Sequence, residues 1–118
     1  MRILIVDDST YIRSTIKDTL KENGFEVIGE AGKGEEAIDL AMDLNPDVIT
    51  LDNMLPDMTG IDVLKTLKGN NHSAKIIMIS AVGQESSIED AKANGALHYL
   101  VKPFDHNQLV IILNQLNQ

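Results

Sequence analysis

The chain has 118 residues, 43% of them hydrophobic, and carries 18 acidic against 10 basic side chains, for a net charge of −8 and a pI near 4.6. That length sustains one domain with a core of its own, burying roughly two-thirds of the unfolded surface. The absence of cysteine excludes a disulfide framework, a Cys-based zinc site and a thiol nucleophile, while the acidity and 3% aromatic content argue against a nucleic-acid binder, which needs a cationic face and stacking platforms.

The N-terminal segment MRILIVDDST holds a four-residue apolar run, residues 3–6, broken by Asp7 and Asp8. It is neither a signal peptide nor a membrane span, so a soluble cytoplasmic domain is expected. Residues 10–23 then show helical period, with Ile12, Ile16 and Leu20 on one face and Gly24 just past the end. Residues 25–30 are a weaker strand candidate. A second helix over 34–44 carries Ala37, Ile38, Ala41 and Leu44 and is stopped by Asn45-Pro46. Apolar runs at 48–51, 76–79 and 97–101 complete a set of strands that read as buried on both faces. Helices are predicted between and after them at 60–68, 84–94 and 106–117, the first two punctuated by Gly69 and Gly95. Five strands alternating with five helices imply an α/β fold of three layers, a parallel sheet with right-handed crossovers covered on both faces.

Charge is unevenly placed. Residues 1–59 hold 5 basic and 13 acidic side chains, and residues 60–118 hold 5 of each. Most of the acids, Asp39 and Asp43 among them, read as solvated helix surface. Asp7, Asp8 and Asp52 do not, because they stand at the carboxyl ends of the first and third runs, where open parallel sheets gather their chemistry. A single Asp there is ordinarily a helix cap or turn former. Three converging carboxylates repel one another unless a cation sits among them. An oxygen-only donor set with no His or Cys suits a hard ion, Mg²⁺ better than Ca²⁺. The histidines, His72, His98 and His106, lie in separate segments and lack metal-ligand spacing. Ser80 follows the fourth run and Lys102 the fifth, adding a hydroxyl and an ammonium that can bind phosphoryl oxygens. Together these residues describe a phosphoryl-transfer site in which an aspartate accepts the group as an acyl phosphate. The segment from Gly29 to Gly34 looks superficially like a phosphate loop, but Glu35 and Glu36 stand where Lys and Ser/Thr would be needed, so it reads as a turn into a helix.

The stretches ILIVDDS, DVITLDNMLPDMTGID, IIMISAV and YLVKPF, at their separations and spanning nearly the whole chain, resemble the response-regulator receiver domains of two-component signalling, in particular the stand-alone chemotaxis type. The resemblance implies a flavodoxin-like (βα)5 fold with strand order 2-1-3-4-5, a topology for which this family is itself a standard example. It implies Asp52 as phosphoacceptor; Asp7, Asp8, Asp52 and the backbone carbonyl of Met54 as ligands of Mg²⁺, with Mn²⁺ able to substitute; and Lys102 as phosphoryl partner, followed by a cis bond to Pro103. Ser80 would bind the phosphoryl group and Tyr99 would be the aromatic switch, together changing the surface of the fourth helix, fifth strand and fifth helix.

The implied partners are a chemotaxis-type sensor histidine kinase and a downstream target such as a flagellar or archaellar motor-switch or adaptor component, with the chain a monomer. The expected domain is 1–118 with no output domain, and the protein is expected to catalyse only its own phosphorylation and dephosphorylation. A phosphorelay intermediate passing the group to a histidine phosphotransfer protein is the alternative; a Mg²⁺-dependent phosphatase is disfavoured because Met54 stands where such enzymes hold a second aspartate. Met54 and Val82 are apolar at positions that flank the attacking water in the family, which predicts a long-lived acyl phosphate. The fourth predicted helix, with Glu85, Glu89 and Asp90 against Lys92, suggests a target with a basic patch.

Overall fold

The computed structural model describes residues 1–117, and strands and helices alternate through them: β1 (Arg2–Val6), α1 (Thr10–Glu22), β2 (Glu26–Ala31), α2 (Gly34–Leu44), β3 (Val48–Asp52), α3 (Gly60–Gly69), β4 (Lys75–Ser80), α4 (Glu85–Ala93), β5 (His98–Val101) and α5 (His106–Leu116). The strands form one parallel sheet in the order β2-β1-β3-β4-β5. This is the expected three-layer α/β arrangement. Among the described residues no helix is long and apolar enough to cross a membrane.

The continuous apolar runs are explained by helices on both faces. Ile3, Ile5, Val48, Ile77 and Ile79 pack with Ile16 and Leu20 of α1 and with Leu109 and Leu113 of α5. Their neighbours Leu4, Val6, Ile49, Leu51, Ile76 and Met78 face the other way, onto Ala37 and Ala41 of α2 and Val63, Leu64 and Leu67 of α3. Successive side chains of a strand alternate faces, so each central strand feeds two cores. Each fully buried Leu or Ile stabilises by about 1.5–3 kcal/mol.

The weaker pattern at 25–30 belongs to an edge strand. β2 is half-buried along most of its length, and its register against β1 skips Ile28, pairing Ile3 with Val27 and Leu4 with Gly29. Several boundaries differ from the sequence expectation. Asp52 and Ser80 are the last residues of β3 and β4 instead of following them, because ladder pairing of Asp52 with Ile79 and Ser80 with Val101 carries each strand one residue further. β5 begins at His98, leaving Leu97 outside it and exposed. Gly24 and Gly95 do adopt left-handed backbone, at φ +82 and +108. Gly69, by contrast, is the last residue of α3, and the left-handed residue there is Asn71, an Asn being one of the few side chains that tolerates that region. Of the segment 29–34, residues 29–31 are strand and only Gly32 and Lys33 form the turn.

Thr50 places a polar side chain in the middle of the sheet. Thr50 is 1% exposed, lies between Ile5 and Ile77 in the sheet, and its hydroxyl has no hydrogen-bond partner. A buried unpaired hydroxyl is a net cost. Thr50→Val should therefore raise the free energy of unfolding by about 1 kcal/mol, read from the denaturant midpoint; a loss of stability would contradict this account of the site.

Candidate functional site

The order of the sheet places β1 beside β3, with β2 on the far side of β1, so chain direction over the sheet reverses there and opens a crevice at the strands' carboxyl ends. Asp7 follows β1 and Asp52 ends β3. Asp7, Asp8 and Asp52 each offer a carboxylate oxygen, and these oxygens lie within 4.8 Å of one another. Asp7 and Asp52 are buried and Asp8 is exposed. Three oxygen donors clustered this closely, without nitrogen or sulfur, fit a hard divalent cation.

The two buried acids are held by nearby backbone groups. The Asp7 N–H extends the β1–β2 ladder to the Ala31 carbonyl at 3.0 Å. Asp7 Oδ1 accepts from the Ser9 N–H at 2.9 Å, and the Ser9 hydroxyl accepts from Ile12 N at 3.2 Å, capping α1. Asp52 Oδ1 accepts from Met54 N at 3.2 Å. Behind it the chain turns so tightly that a Cβ at Gly60 would stand 2.4 Å from the Asp52 carbonyl oxygen, and only glycine permits that approach.

Lys102 supplies the positive charge. Its Nζ donates to Asp7 Oδ2 at 2.6 Å and lies 3.4 Å from Asp52 Oδ2. Its backbone N–H donates to the Ser80 carbonyl at 2.8 Å, and the Lys102–Pro103 bond is cis. Burial pushes the Asp52 carboxyl above the usual carboxylate range; the Met54 N–H and the Lys102 charge oppose this, and the nearby Asp7 adds to it. Burial also acts against the Lys102 ammonium, but the hydrogen bond to Asp7 and the charges of Asp52 and Asp7 outweigh it, holding that group above its ordinary value.

Ser80 is fully buried at the end of β4, and its hydroxyl accepts from Val82 N at 3.2 Å. Tyr99, on the edge strand β5, is half-buried, with its hydroxyl donating to the Val82 carbonyl at 2.6 Å. Both therefore hold the same residue of the β4–α4 loop. Met54 is 62% exposed, and Glu85, Glu89, Asp90 and Lys92 of α4 are all exposed.

Two supporting residues escaped sequence reasoning. Arg13 of α1 donates to the Asp7 carbonyl oxygen and lies 3.3 Å from Glu30 Oε1, bracing the turn that carries Asp7 and Asp8. Asp57 of the β3–α3 loop accepts from the backbone N–H groups of Gly34 and Glu35. The one available signal for Asp57 was negative: Lys33, at the N-cap position of α2, has no acceptor with which to cap it.

The sequence matches the response regulator receiver domain over residues 3–114. It is 44% identical over 114 residues to the chemotaxis protein CheY of Bacillus subtilis, covering 97% of this chain and 95% of that one. It is 40% identical over 117 residues to the CheY of Thermotoga maritima, covering 99% and 98%. Among solved structures, CheY in the CheX–CheY–BeF3–Mg²⁺ complex from Borrelia burgdorferi superposes with a TM-score of 0.94 at 32% identity, over 100% of this chain and 90% of that one. With the family matched across nearly all of its length and the sheet order, acid cluster and lysine found at the expected edge, the chain belongs to the response regulator receiver domains and is similar to the CheY proteins of chemotaxis.

Proposed function

We propose that this receiver domain, residues 1–118, takes a phosphoryl group onto Asp52 from the phosphohistidine of a sensor kinase and signals by docking on another protein. The observation that carries the reading is the convergence of Asp7, Asp8 and Asp52 at a sheet switch point, with the Lys102 ammonium paired to Asp7 and Asp52. In the transfer, an Asp52 carboxylate oxygen forms a bond to phosphorus while the P–N bond breaks, its electron pair leaving on the imidazole nitrogen. Asp7, Asp8, Asp52 and the Met54 carbonyl would hold Mg²⁺, or Mn²⁺ in its place. When bound, the ion would offset the charge on the transferring group. Lys102 is already paired to two of the acids and can donate to a phosphoryl oxygen beside Asp52.

The added group carries about −1.5 to −2 charge and three acceptor oxygens, toward which the buried Ser80 hydroxyl can turn. Tyr99 then responds through the loop it shares with Ser80. The face of α4, β5 and α5 combines the acids Glu85, Glu89 and Asp90 with exposed Leu97, Val101 and Ile111, a mixed surface suited to a partner with a basic rim. Likeness to CheY proteins favours this docking role over onward transfer to a histidine phosphotransfer protein.

Incubation with Mg²⁺ and a small acyl- or amido-phosphate donor should add the mass of one phosphoryl group to the wild type and none to Asp52→Asn, read by intact mass; equal labelling of both would overturn the assignment. Met54→Asn should shorten the lifetime of the labelled form by about tenfold, the effect of one hydrogen bond of about 1.4 kcal/mol on the attacking water. An unchanged or longer lifetime would refute that role for Met54.

The raised Asp52 carboxyl also ties stability to pH. Folding favours its protonated form, so its contribution is fully present below the ordinary carboxylate range and is lost as pH rises through the raised value. Without metal, Asp52→Asn should therefore have the higher thermal midpoint at neutral pH, and the gap should close as pH falls below about 4. A gap that is constant over that range would contradict the burial of this charge.

A further inference from the structure

We infer that Asp57 is a positioning residue for the acidic pocket: by tying the β3–α3 loop to the start of α2 it fixes Met54, and through Met54 the Asp52 carboxylate and the metal-holding carbonyl. The inference rests on the proposed Mg²⁺ site.

The loop between β3 and α3 is closed at its base and anchored at its tip. At the base, Gly60 N donates to the Asn53 carbonyl at 2.8 Å, Ile61 N donates to Asn53 Oδ1 at 3.2 Å, and Met54 and Thr59 form an antiparallel bridge. At the tip, Asp57 Oδ1 accepts from Gly34 N at 2.7 Å and Oδ2 from Glu35 N at 3.0 Å. Beside this contact Met58 lies so close to buried Gly34 that a Cβ there would stand 2.3 Å from its Cγ.

The pair of hydrogen bonds that Asp57 accepts has a specific physical basis. The first N–H groups of a helix lack intrahelical acceptors and carry the positive end of its dipole. Lys33 provides no side-chain cap for α2, so the acceptor comes from a loop more than twenty residues away. The Glu35 and Gly34 N–H groups hold the Asp57 carboxyl below the usual carboxylate range, in keeping with a charge placed at that helix end.

The Asp57 carboxylate makes its hydrogen bonds to α2. Its effect runs along the loop: Met54 N–H is the backbone donor to Asp52 Oδ1, and the Met54–Thr59 bridge makes the two arms of the loop move together. Releasing the tip frees both arms, leaving Asp52 less well oriented and the Met54 carbonyl less often in place.

The test compares full-length wild type, Asp57→Asn, Asp57→Ala, Asp52→Asn and Leu116→Ala. Leu116, half-buried at the far end of α5, serves as a control for lost stability. Calorimetric Mg²⁺ titration should show binding by wild type and Leu116→Ala, loss of it in Asp52→Asn, and about tenfold weaker binding in Asp57→Ala, the low end for groups that orient metal ligands indirectly. Asp57→Asn, which keeps an acceptor for only one of the two N–H groups, should fall between and carries the comparison if the alanine variant does not fold. In the metal-free proteins, amide exchange at Met54 and Gly60 should quicken in the Asp57 variants and stay unchanged in Leu116→Ala. Mg²⁺ binding by Asp57→Ala equal to wild type, or an equal loss in Leu116→Ala, would overturn this inference alone. No Mg²⁺ binding by wild type would overturn the metal reading and this inference with it.

Discussion

The arrangement depends on one ammonium group reaching two buried carboxylates. Lys102 leaves the sheet after β5, yet its Nζ contacts Asp7 after β1 and Asp52 at the end of β3. Strands lie about 4.8 Å apart, so the side chain must pass over the end of β4. The long flexible stem of lysine makes the reach possible, and the bond from its backbone N–H to the Ser80 carbonyl starts the stem from a fixed point. Without this charge, Asp7 and Asp52 would repel each other where water screens them poorly. The same ammonium stitches three strands together and makes the pocket electrostatically tolerable, which ties the fold to the site.

What could be read in the sequence follows from how much each feature depends on local chemistry. β1, β3 and β4 were visible because strands buried on both faces need unbroken apolar runs. β2 was faint because an edge strand buries less and here carries a register shift at Ile28. The acids at strand ends followed from topology combined with like-charge repulsion, and the resemblance to receiver domains supplied the strand order. Arg13 and Asp57 were invisible because each acts through backbone atoms of residues remote in sequence or on another element. Gly69 does stand at the end of α3, as a glycine there suggests, but the left-handed turn is made two residues later by Asn71.

The distribution of charge also gains a physical sense. The acidic excess lies wholly in residues 1–59, and its members do different things. Asp39 and Asp43 are solvated. Glu30 pairs with Arg13 and Lys17 on the flank of α1, Asp57 caps α2, and Asp7 and Asp52 face Lys102. Asp52 combines burial, a raised carboxyl and neighbouring like charge. Burial disfavours its ionised form, so its surroundings favour an added cation.

Val82 shows how a change at that carboxylate can leave the pocket. Its N–H is bound by the Ser80 hydroxyl and its carbonyl by the Tyr99 hydroxyl, so two side chains from neighbouring strands grip one residue of the β4–α4 loop. The Ser80 oxygen that accepts from Val82 belongs to the group whose proton would bond to a phosphoryl oxygen. If the Ser80 side chain swings so that its oxygen itself moves toward a phosphoryl group on Asp52, the bond from the Val82 N–H is stretched. A half-buried N–H that loses its acceptor favours a shift of the loop toward another. Any such shift moves the carbonyl that Tyr99 holds, and the 2.6 Å bond cannot lengthen far before the ring follows or lets go. Under the proposed phosphorylation of Asp52, a rearrangement in a buried pocket would in this way displace a half-buried aromatic ring on an edge strand, at the surface proposed for docking.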